Sequence, residues 1–408
     1  MPHVDKEWFD PLPRDFMALF YLICFIYIAI GIYILAKHFI VPSLDIIMAK
    51  TEATDSVAGT LIFGGATSVL GFMTSTIGAF VAVADGLSTN KILGGHVYDF
   101  TFMAALCILI VPASLLKTLS VRAFFRDIVF VAISTILIFL IFMDDYIVWY
   151  ETLLVVAMFL LYLLAVRFLR KFMTSEIPKI EAVGNTIGTE PENVEMEDLK
   201  VTEPLSISTT PGSSCCETVF HFISLPAKIP FMFTIPSQSW KCCNASHMAK
   251  LYPLTLIVSF VWLGILSYLV IMIADDWGRL VGLPGPITGF FIAPVSFELM
   301  SSIILAKRGD LPIAIHAIIG RAVINLCLTF GIPTLIYNTI FGASLQVGSE
   351  GSIYSLIIML LAMIVLILEV VISKGKLKKA WGIIPLVLFI VHMVAALALT
   401  YEFIKLPF

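Results

Sequence analysis

Long uninterrupted apolar runs are the feature that most constrains what this chain can fold into. The first run, from Phe16 to about Ile40, holds a single lysine and no acidic residue. A helix of about 20 apolar residues crosses a hydrocarbon core roughly 30 Å thick. Over the whole chain, 59% of the 408 residues are hydrophobic and 13% are charged, against about 25% charged in soluble domains. The sequence therefore predicts an integral, multi-pass membrane protein whose partner is the lipid bilayer.

Ten apolar segments of spanning length follow one another along the chain. The predicted spans lie near 16–40, 57–83, 93–115, 128–143, 147–168, 252–274, 284–305, 311–340, 354–373 and 381–402. A polar, acidic stretch at 174–214 has too little apolar content to fold, and it separates five spans from five. The predicted domains are an extracytoplasmic N-terminus at 1–15, a first membrane repeat at 16–173, a cytoplasmic linker at 174–250 that is disordered and then interfacial and amphipathic, and a second membrane repeat at 251–408.

The basic residues predict the orientation of these spans, because Lys and Arg accumulate in cytoplasmic connections. With the N-terminus outside, all the basic clusters fall on the cytoplasmic side, and the acidic turns at 144–145 and 275–276 fall outside. The clusters are Lys117, Arg122 and Arg126; Arg167, Arg170 and Lys171; Lys307 and Arg308; and Lys374, Lys376, Lys378 and Lys379. The plasma membrane is the expected location, with an intracellular membrane as the alternative.

Two pairs of similar segments recur in the same order in both halves. Residues 71–75 resemble residues 298–302, and residues 94–99 correspond to residues 320–325. Five spans followed by five of opposite orientation form inverted repeats, which place a substrate site near the bilayer midplane where broken helices meet. The predicted fold class is an all-α polytopic membrane protein, with about ten transmembrane helices in two inverted five-helix repeats.

Several function classes find no support in the sequence. The net charge of −4 gives no indication of a nucleic-acid partner. There is no P-loop or other nucleotide motif, so any transport is expected to be secondary rather than driven by ATP. The seven cysteines lack a recognised zinc spacing, and no nucleophile can be paired with a base. We expect neither an enzyme nor a cofactor nor a zinc site.

Segments in both halves resemble the potassium-dependent sodium/calcium exchangers. Residues 41–60 are similar to the entry of that family's first repeat, 125–130 and 144–162 to its fourth and fifth spans, 230–236 to the amphipathic stretch before its sixth span, and 306–309 to the exit of its second repeat. The resemblance implies a cation/calcium exchanger-like fold. It also implies that sodium, calcium and potassium are the ions to consider, as transported substrates.

This sequence departs from the family at the ion-binding motifs. Gly71 stands where the family has the glutamate of its first repeat, and Glu298 stands where the second repeat has an aspartate. Asp99 replaces an asparagine, whereas Asn325 replaces the aspartate that the family associates with potassium dependence. The resemblance therefore implies exchange without a requirement for potassium. Arg321 replaces a small residue of the same motif.

Calcium takes about six to eight oxygen ligands, which a membrane protein supplies from carboxylates, amides, hydroxyls and unwound backbone. The predicted cation ligands are Glu298, Asp99, Asn325, Ser68, Thr74, Ser75, Ser296, Ser301 and Ser302, and the residues predicted to modify selectivity are Arg321, His96 and Gly71. An ionisable residue within a span is a functional-site hypothesis by default. The alternative for Asp99 and Glu298 is a structural pairing with Arg321 or His96.

Arg321 leaves two placements and three functions open. It either points to the midplane, where it opposes a bound cation, or extends to the cytoplasmic interface. The first function is a secondary active antiporter that exchanges sodium for calcium by alternating access, with Glu298 and Asp99 as the charged ligands. The second is a transport-incompetent relative that acts as a regulator or partner. The third is an antiporter of altered selectivity, for a monovalent cation or a proton.

Overall fold

A computed structural model describes residues 14–81, 95–141, 146–173, 215–236, 251–281, 295–342, 344–346 and 352–400. These residues are nearly all helical, which confirms the predicted all-α class. They form two compact units. The first unit holds the described residues of 1–40, 205–300 and 395–408, and the second holds those of 41–204 and 301–394.

Fourteen α-helices, labelled here in chain order, and four π-helical segments make up most of the described chain. The α-helices are α1 Arg14–Leu35, α2 Val41–Lys50, α3 Asp55–Val57, α4 Gly64–Val81, α5 Ala104–Ile110, α6 Val121–Ile141, α7 Trp149–Met173, α8 Cys215–Thr234, α9 Tyr252–Val281, α10 Phe297–Lys307, α11 Leu311–Ile324, α12 Gly331–Phe341, α13 Ser352–Ser373 and α14 Ile383–Thr400. The π segments are π1 Ala36–Ile40, π2 Ala58–Phe63, π3 Asp99–Met103 and π4 Asn325–Thr329. Two 3-10 helices, Ala113–Leu115 and Lys379–Gly382, and two short strands, β1 Tyr146–Ile147 and β2 Leu345–Gln346, complete the list.

Six of the helical stretches are long and apolar enough to cross a membrane. They are Phe16–Lys50, Asp55–Met73, Val121–Ile141, Trp149–Phe168, Tyr252–Val281 and Leu311–Phe341. The shorter apolar helices Gly95–Ile110, Ile357–Ser373 and Lys379–Ala395 coincide with the predicted third, ninth and tenth spans. Residues 284–294 of the predicted seventh span lie outside the described residues, as do 1–13 and most of the 174–250 linker.

The fourth span begins earlier than the sequence predicted. Helix α6 starts at Val121 instead of residue 128, because Arg126 and Asp127 form a buried polar pair inside the helix. Arg126 is 8% exposed, so it is buried within the protein rather than on a solvated connection, and its place on the cytoplasmic side stays a prediction. A charged pair whose hydrogen bonds are satisfied within the protein can lie in a span without contacting water.

Aromatic contacts hold the three long helices of the first unit together. Helix α1 packs along α9, and α8 packs against α1. The ring of Phe231 on α8 lies edge-on to Phe39, with centroids 6.4 Å apart, and edge-on to Trp262, with centroids 5.2 Å apart. The indole N–H of Trp262 donates to Thr234 Oγ1 at 2.8 Å. The amphipathic stretch 230–236, which the sequence placed before the sixth span, therefore includes the end of helix α8.

Helix α11 is the centre of the second unit. All of its residues from Leu311 to Ile324 are buried, as expected for a helix that is apolar on every side. It crosses π2 so closely that the two backbones are in contact, because each of the two elements has a glycine at the crossing. A Cβ on Gly59 would meet His316 Cβ at 2.5 Å, and one on Gly320 would collide with the backbone of Thr60.

The connections between the helices of the second unit gather at two ends. At one end Lys117 Nζ donates to Asp310 Oδ1 at 2.7 Å, and Leu119 N donates to Gly375 O at 2.9 Å. These contacts join the connections 111–120, 308–310 and 374–378. The connections after α6 and after α12 meet through strands β1 and β2, which pair antiparallel with Tyr146 opposite Gln346.

Candidate cation site

Asp99 and Asn325 occupy equivalent places in the two halves of the second unit. Asp99 is the first residue of π3, and Asn325 is the first residue of π4. The two positions correspond in the repeat that the sequence indicated. A π-helical turn departs from the regular hydrogen-bond ladder of the α-helix and occurs frequently at functional sites. The structure thus departs from regular α-helix at both positions where the sequence predicted cation ligands.

The carboxylate of Asp99 is buried and has two partners. Arg321 Nη2 forms an ion pair with Asp99 Oδ1, and His96 Nδ1 lies 3.2 Å from Asp99 Oδ2. Asp99 is 2% exposed and His96 is 1% exposed. His96 precedes Asp99 by three residues, which places the two side chains on the same helix face. Asp99 is therefore held from its own helix by an imidazole and from α11 by a guanidinium.

Arg321 takes the inward of the two placements left open by the sequence. It is 7% exposed and lies on α11, whose every residue is buried. Its single positive charge compensates the single negative charge of Asp99. The described cluster of Asp99, Arg321 and His96 then has no net charge when His96 is neutral. Both structural pairings considered for Asp99, with Arg321 and with His96, are present.

Gly71 lies next to Asn325. A Cβ built on Gly71 would lie 3.3 Å from Asn325 Oδ1 and 3.4 Å from Thr329 Cγ2. Thr329 Oγ1 donates to the same Asn325 oxygen at 3.2 Å. A side chain at position 71 would therefore point at the start of π4. Since glycine occupies that position, residue 71 contributes no carboxylate to the start of π4, where the polar groups are the amide of Asn325 and the hydroxyl of Thr329.

The predicted hydroxyl ligands of the second unit are buried. Ser68 Oγ donates to Gly64 O at 2.8 Å, which leaves its lone pairs as the part available to a cation. Ser75, Ser301 and Ser302 are 5%, 1% and 4% exposed. The side chain of Thr74 lies outside the described residues.

Glu298 and Ser296 belong to the first unit. Ser296 Oγ accepts a hydrogen bond from the backbone N–H of Leu299 at 3.3 Å, so it caps the start of α10. Glu298 lies in the first turn of the same helix, where the helix dipole favours a negative charge. Their role as cation ligands remains a prediction.

A second buried charged cluster, which was not predicted from the sequence, surrounds Asp127. Arg126 Nε donates to Asp127 Oδ1 at 2.7 Å, Tyr162 OH donates to the same oxygen at 3.2 Å, and His316 Nδ1 lies 3.0 Å from Oδ2. Arg126 also donates to Ser56 Oγ at 2.8 Å. The signal was an Arg-Asp pair and a histidine inside apolar segments, since ionisable residues within spans are seldom incidental.

The described residues do not form a metal centre built from clustered acids. Among them, no three His, Cys, Asp or Glu side chains come together as a set of metal ligands. In the described conformation, Asp99 is the one carboxylate of the cluster with Arg321 and His96, so the further ligands of a cation bound there would be neutral oxygens.

Comparison with known proteins gives the family. The family described as Sodium/calcium exchanger protein matches residues 20–168 and 251–398, which include both sets of five predicted spans. The chain belongs to the sodium/calcium exchanger family. The matched segments leave out the acidic linker, which the sequence had also set apart.

Two relatives of the chain are named sodium/potassium/calcium exchangers. It is 24% identical to human sodium/potassium/calcium exchanger 5 over 95% of this chain and 84% of the relative. It is 22% identical to mouse sodium/potassium/calcium exchanger 4 over 96% of this chain and 83% of that relative. The resemblance stated from the sequence is thereby confirmed, at low identity over most of the chain.

Solved structures of the sodium-calcium exchanger NCX_Mj share the fold. One, soaked with sodium and strontium, matches with a TM-score of 0.55 at 16% identity and covers 93% of this chain and 98% of its own. A second, soaked with less of both ions, matches with a TM-score of 0.56 at 14% identity. The cation/calcium exchanger-like fold predicted from the sequence is confirmed.

Proposed function

We propose that this chain is a secondary active cation antiporter that exchanges sodium for calcium across a membrane by alternating access. The observation that carries the proposal is the buried Asp99 at the start of π3, matched by Asn325 at the start of π4. A carboxylate and an amide, each at the start of a π-helical turn, supply oxygens of the kind that a cation needs inside a membrane. Relatives named as sodium/potassium/calcium exchangers supply the class of ion.

Arg321 is proposed to act as a tethered cation that competes with the transported ion for Asp99. A cation can reach this carboxylate only when the guanidinium moves away from it. At a separation of about 5 Å and an effective dielectric constant of about 20, the repulsion from Arg321 is about 7 kcal/mol for a divalent ion and about half that for a monovalent ion. The calcium affinity of the site is therefore expected to be well below that of a site lacking the arginine.

The same pair bears on how tightly the two ion movements are coupled. An antiporter stays coupled when its empty site, with an uncompensated carboxylate, is too costly to reorient through the membrane. Here Arg321 compensates Asp99 when no ion is bound. We therefore expect part of the sodium movement to proceed without a counter-ion on the other side.

A transport-incompetent relative that acts as a regulator or partner is the second candidate. The Asp99–Arg321 ion pair favours it, because a cation would have to break a buried pair that is itself costly to disrupt. Gly71 adds to this case by withholding a carboxylate from the start of π4.

Flux through proteoliposomes that contain the purified full-length chain tests these functions. Radioactive calcium and radioactive sodium uptake are measured with an outward sodium gradient, with no internal counter-ion, and with and without potassium. The proposal expects sodium-gradient-dependent calcium uptake that Asp99→Asn abolishes and that Asp310→Asn, on a connection outside the site, leaves intact. If neither ion moves while the protein retains its cooperative thermal transition, the antiporter proposal fails and the transport-incompetent candidate stands.

A further inference from the structure

Helix α13 carries a buried acid that the proposed transport site does not use. Glu369 is 2% exposed, and neither carboxyl oxygen has a hydrogen-bond partner within the described part of the chain. It is the only acidic residue of α13, which contains no Lys or Arg. On the same helix it is flanked by Leu366 and Val370, both fully buried. The carboxyl group therefore lies in an apolar contact surface.

The packing of α13 against α6 defines the depth of Glu369. Thr135 Oγ1 donates to Met359 Sδ at 3.9 Å, and Leu119 N donates to Gly375 O at 2.9 Å. Both contacts fit one antiparallel register, which places Glu369 level with about residue 125 of the facing segment. The acid lies four residues before the last residue of α13, or about 6 Å along the helix axis.

The charged groups on the elements that pack against α13 are engaged elsewhere. The elements packed most closely against α13 are α6 and π3. On α6, Arg126 and Asp127 bind each other, and Arg122 is exposed at the surface. On π3, Asp99 is held by Arg321 and His96.

The lysines that follow α13 also leave Glu369 without a counter-charge. Lys374, Lys376, Lys378 and Lys379 are exposed and point away from the buried surface. No ion pair joins any described Lys, Arg or His to Glu369. A lone ionised carboxylate removed from water, without a counter-charge or hydrogen bonds, is strongly disfavoured relative to the neutral acid.

We propose that Glu369 is a proton-binding site within the membrane-spanning part of the protein. A proton needs one carboxyl oxygen, whereas a metal cation needs several ligands, and the described residues form no acidic cluster here. Glu369 is a protonated, neutral acid in the described conformation. It can ionise only when water or a cation reaches it from the lysine-bearing end of α13, one helical turn away. The site is separate from Asp99 and does not depend on whether the chain exchanges sodium for calcium.

Carboxyl modification tests the protonation of Glu369 directly. The apolar reagent dicyclohexylcarbodiimide reacts with protonated carboxylic acids in apolar surroundings: the acid adds across the carbodiimide, its proton passes to a nitrogen, and rearrangement leaves a stable N-acylurea. The full-length chain in lipid nanodiscs is treated and the modified peptides are identified by mass spectrometry. Glu369 is expected to be labelled near neutral pH, several-fold more than Asp127, which is equally buried but held by Arg126, Tyr162 and His316.

Thermal stability as a function of pH supplies a readout that does not depend on the reagent reaching the site. Gln is neutral and has nearly the shape of a protonated Glu, so Glu369→Gln should match the wild type at or below about pH 4, where the unfolded glutamate is also protonated. It should become the more stable protein as the pH rises above that through neutral pH, because only the wild type must then keep a proton that its unfolded chain has lost. Asp127→Asn, which removes a paired carboxylate, should instead lower the midpoint temperature throughout. If Glu369→Gln lowers the midpoint temperature near neutral pH, the carboxylate is ionised and paired, and the proposal is wrong. Sodium or calcium flux does not enter either measurement.

Discussion

At the residue scale, the permanent charge of Arg321 decides what the neighbourhood of Asp99 can hold. Asp99 and Arg321 are both nearly fully buried, and each is the other's counter-charge. A buried ion pair stabilises little compared with a well-packed apolar pair, but removal of one member leaves an uncompensated charge. The pair therefore makes the protein's stability and its cation affinity depend on the same side chain.

Arg321→Ser is expected to lower stability and raise cation affinity together. Loss of the guanidinium should cost about 3–5 kcal/mol of unfolding free energy, since Asp99 is left charged and buried. Addition of calcium or sodium should restore part of that loss, because the cation can then bind the Asp99 carboxylate, which has lost its counter-charge. Thermal unfolding with and without each ion measures both effects. The double variant Arg321→Ser with Asp99→Asn serves as the control: it should regain stability without responding to ions. Strong calcium binding by the wild type with no effect of Arg321→Ser would contradict this account.

The sequence predicted the members of this site better than their arrangement. Asp99, Asn325, Arg321 and His96 were recognised because ionisable and amide groups in apolar segments are costly and specific. The direction of Arg321 could not be predicted, since a long side chain on a buried helix can reach either the interior or the interface. The packing of α11 against π2 decides it, and that packing depends on glycines far apart in the sequence.

Asn325→Asp is expected to introduce potassium stimulation of whatever sodium or calcium flux the wild type shows. The substitution adds a negative charge at the start of π4, beside Thr329, where the family has its acid. Asn325→Gln, which keeps the amide and lacks the charge, is the matched control and should show no stimulation. The measurement is flux into proteoliposomes at several potassium concentrations. Stimulation of the wild type by potassium would contradict the prediction.

At the element scale, the crossing of α11 and π2 determines the interior of the second unit. Gly320 meets the backbone of Thr60, and Gly59 meets His316. Helical periodicity predicted both elements, but it could not predict that a π segment would form within the second span. A π segment is set by tertiary contacts instead of local propensity. The short separation of the two elements leaves no room for a methyl group on either glycine.

Gly320→Ala is expected to destabilise the protein by at least about 2 kcal/mol, because the new methyl group collides with the backbone, which cannot rotate away as a side chain can. Gly65→Ala is the matched control. A Cβ at Gly65 meets only Ile324 Cδ1, at 4.0 Å. Since alanine favours helix by up to about 1 kcal/mol over glycine, the control should be neutral or stabilising. Chemical or thermal unfolding of both variants decides the matter, and equal losses would show that the crossing is not as tight as described.

The cluster of Asp127 links four elements of the second unit. It joins α6, where Asp127 and Arg126 lie, to His316 on α11, Tyr162 on α7 and Ser56 on α3. Asp127→Asn should cost about 3–5 kcal/mol, because Arg126 then remains buried without its counter-charge. Asp310→Asn removes a carboxylate that pairs with the 57% exposed Lys117 and, at 3.5 Å, with the 33% exposed Arg308, and each such solvent-exposed pair contributes about 1 kcal/mol or less. Similar losses in the two variants would argue against a structural role of the Asp127 cluster.

At the scale of the whole molecule, the second unit brings together connections that carry basic residues, while their side of the membrane stays a prediction. The connections that carry Lys117, Arg308 and Lys374 lie together, as the Lys117–Asp310 and Leu119–Gly375 hydrogen bonds require. The connections after α6 and after α12 pair through β1 and β2. The positions of Lys and Arg in the sequence predicted which connections lie on the same side as one another, because each span reverses the side on which the chain emerges. It could not predict the pairing of the strands, which depends on two connections almost 200 residues apart.

The topology prediction is that residue 145 and the 174–214 linker lie on opposite faces of the membrane. Single cysteines at Asp145, at Ser206 in the linker and at Lys376 are introduced into a chain whose seven native cysteines are replaced by serine. In intact cells with the protein at the plasma membrane, a membrane-impermeant maleimide should label Asp145→Cys from outside, whereas the other two should react only after permeabilisation. The physical reason is the asymmetry of Lys and Arg, which are retained on the cytoplasmic side during insertion. Labelling of Asp145→Cys and Ser206→Cys from the same side would contradict the arrangement of five spans plus five, and with it the inverted repeat that relates Asp99 to Asn325.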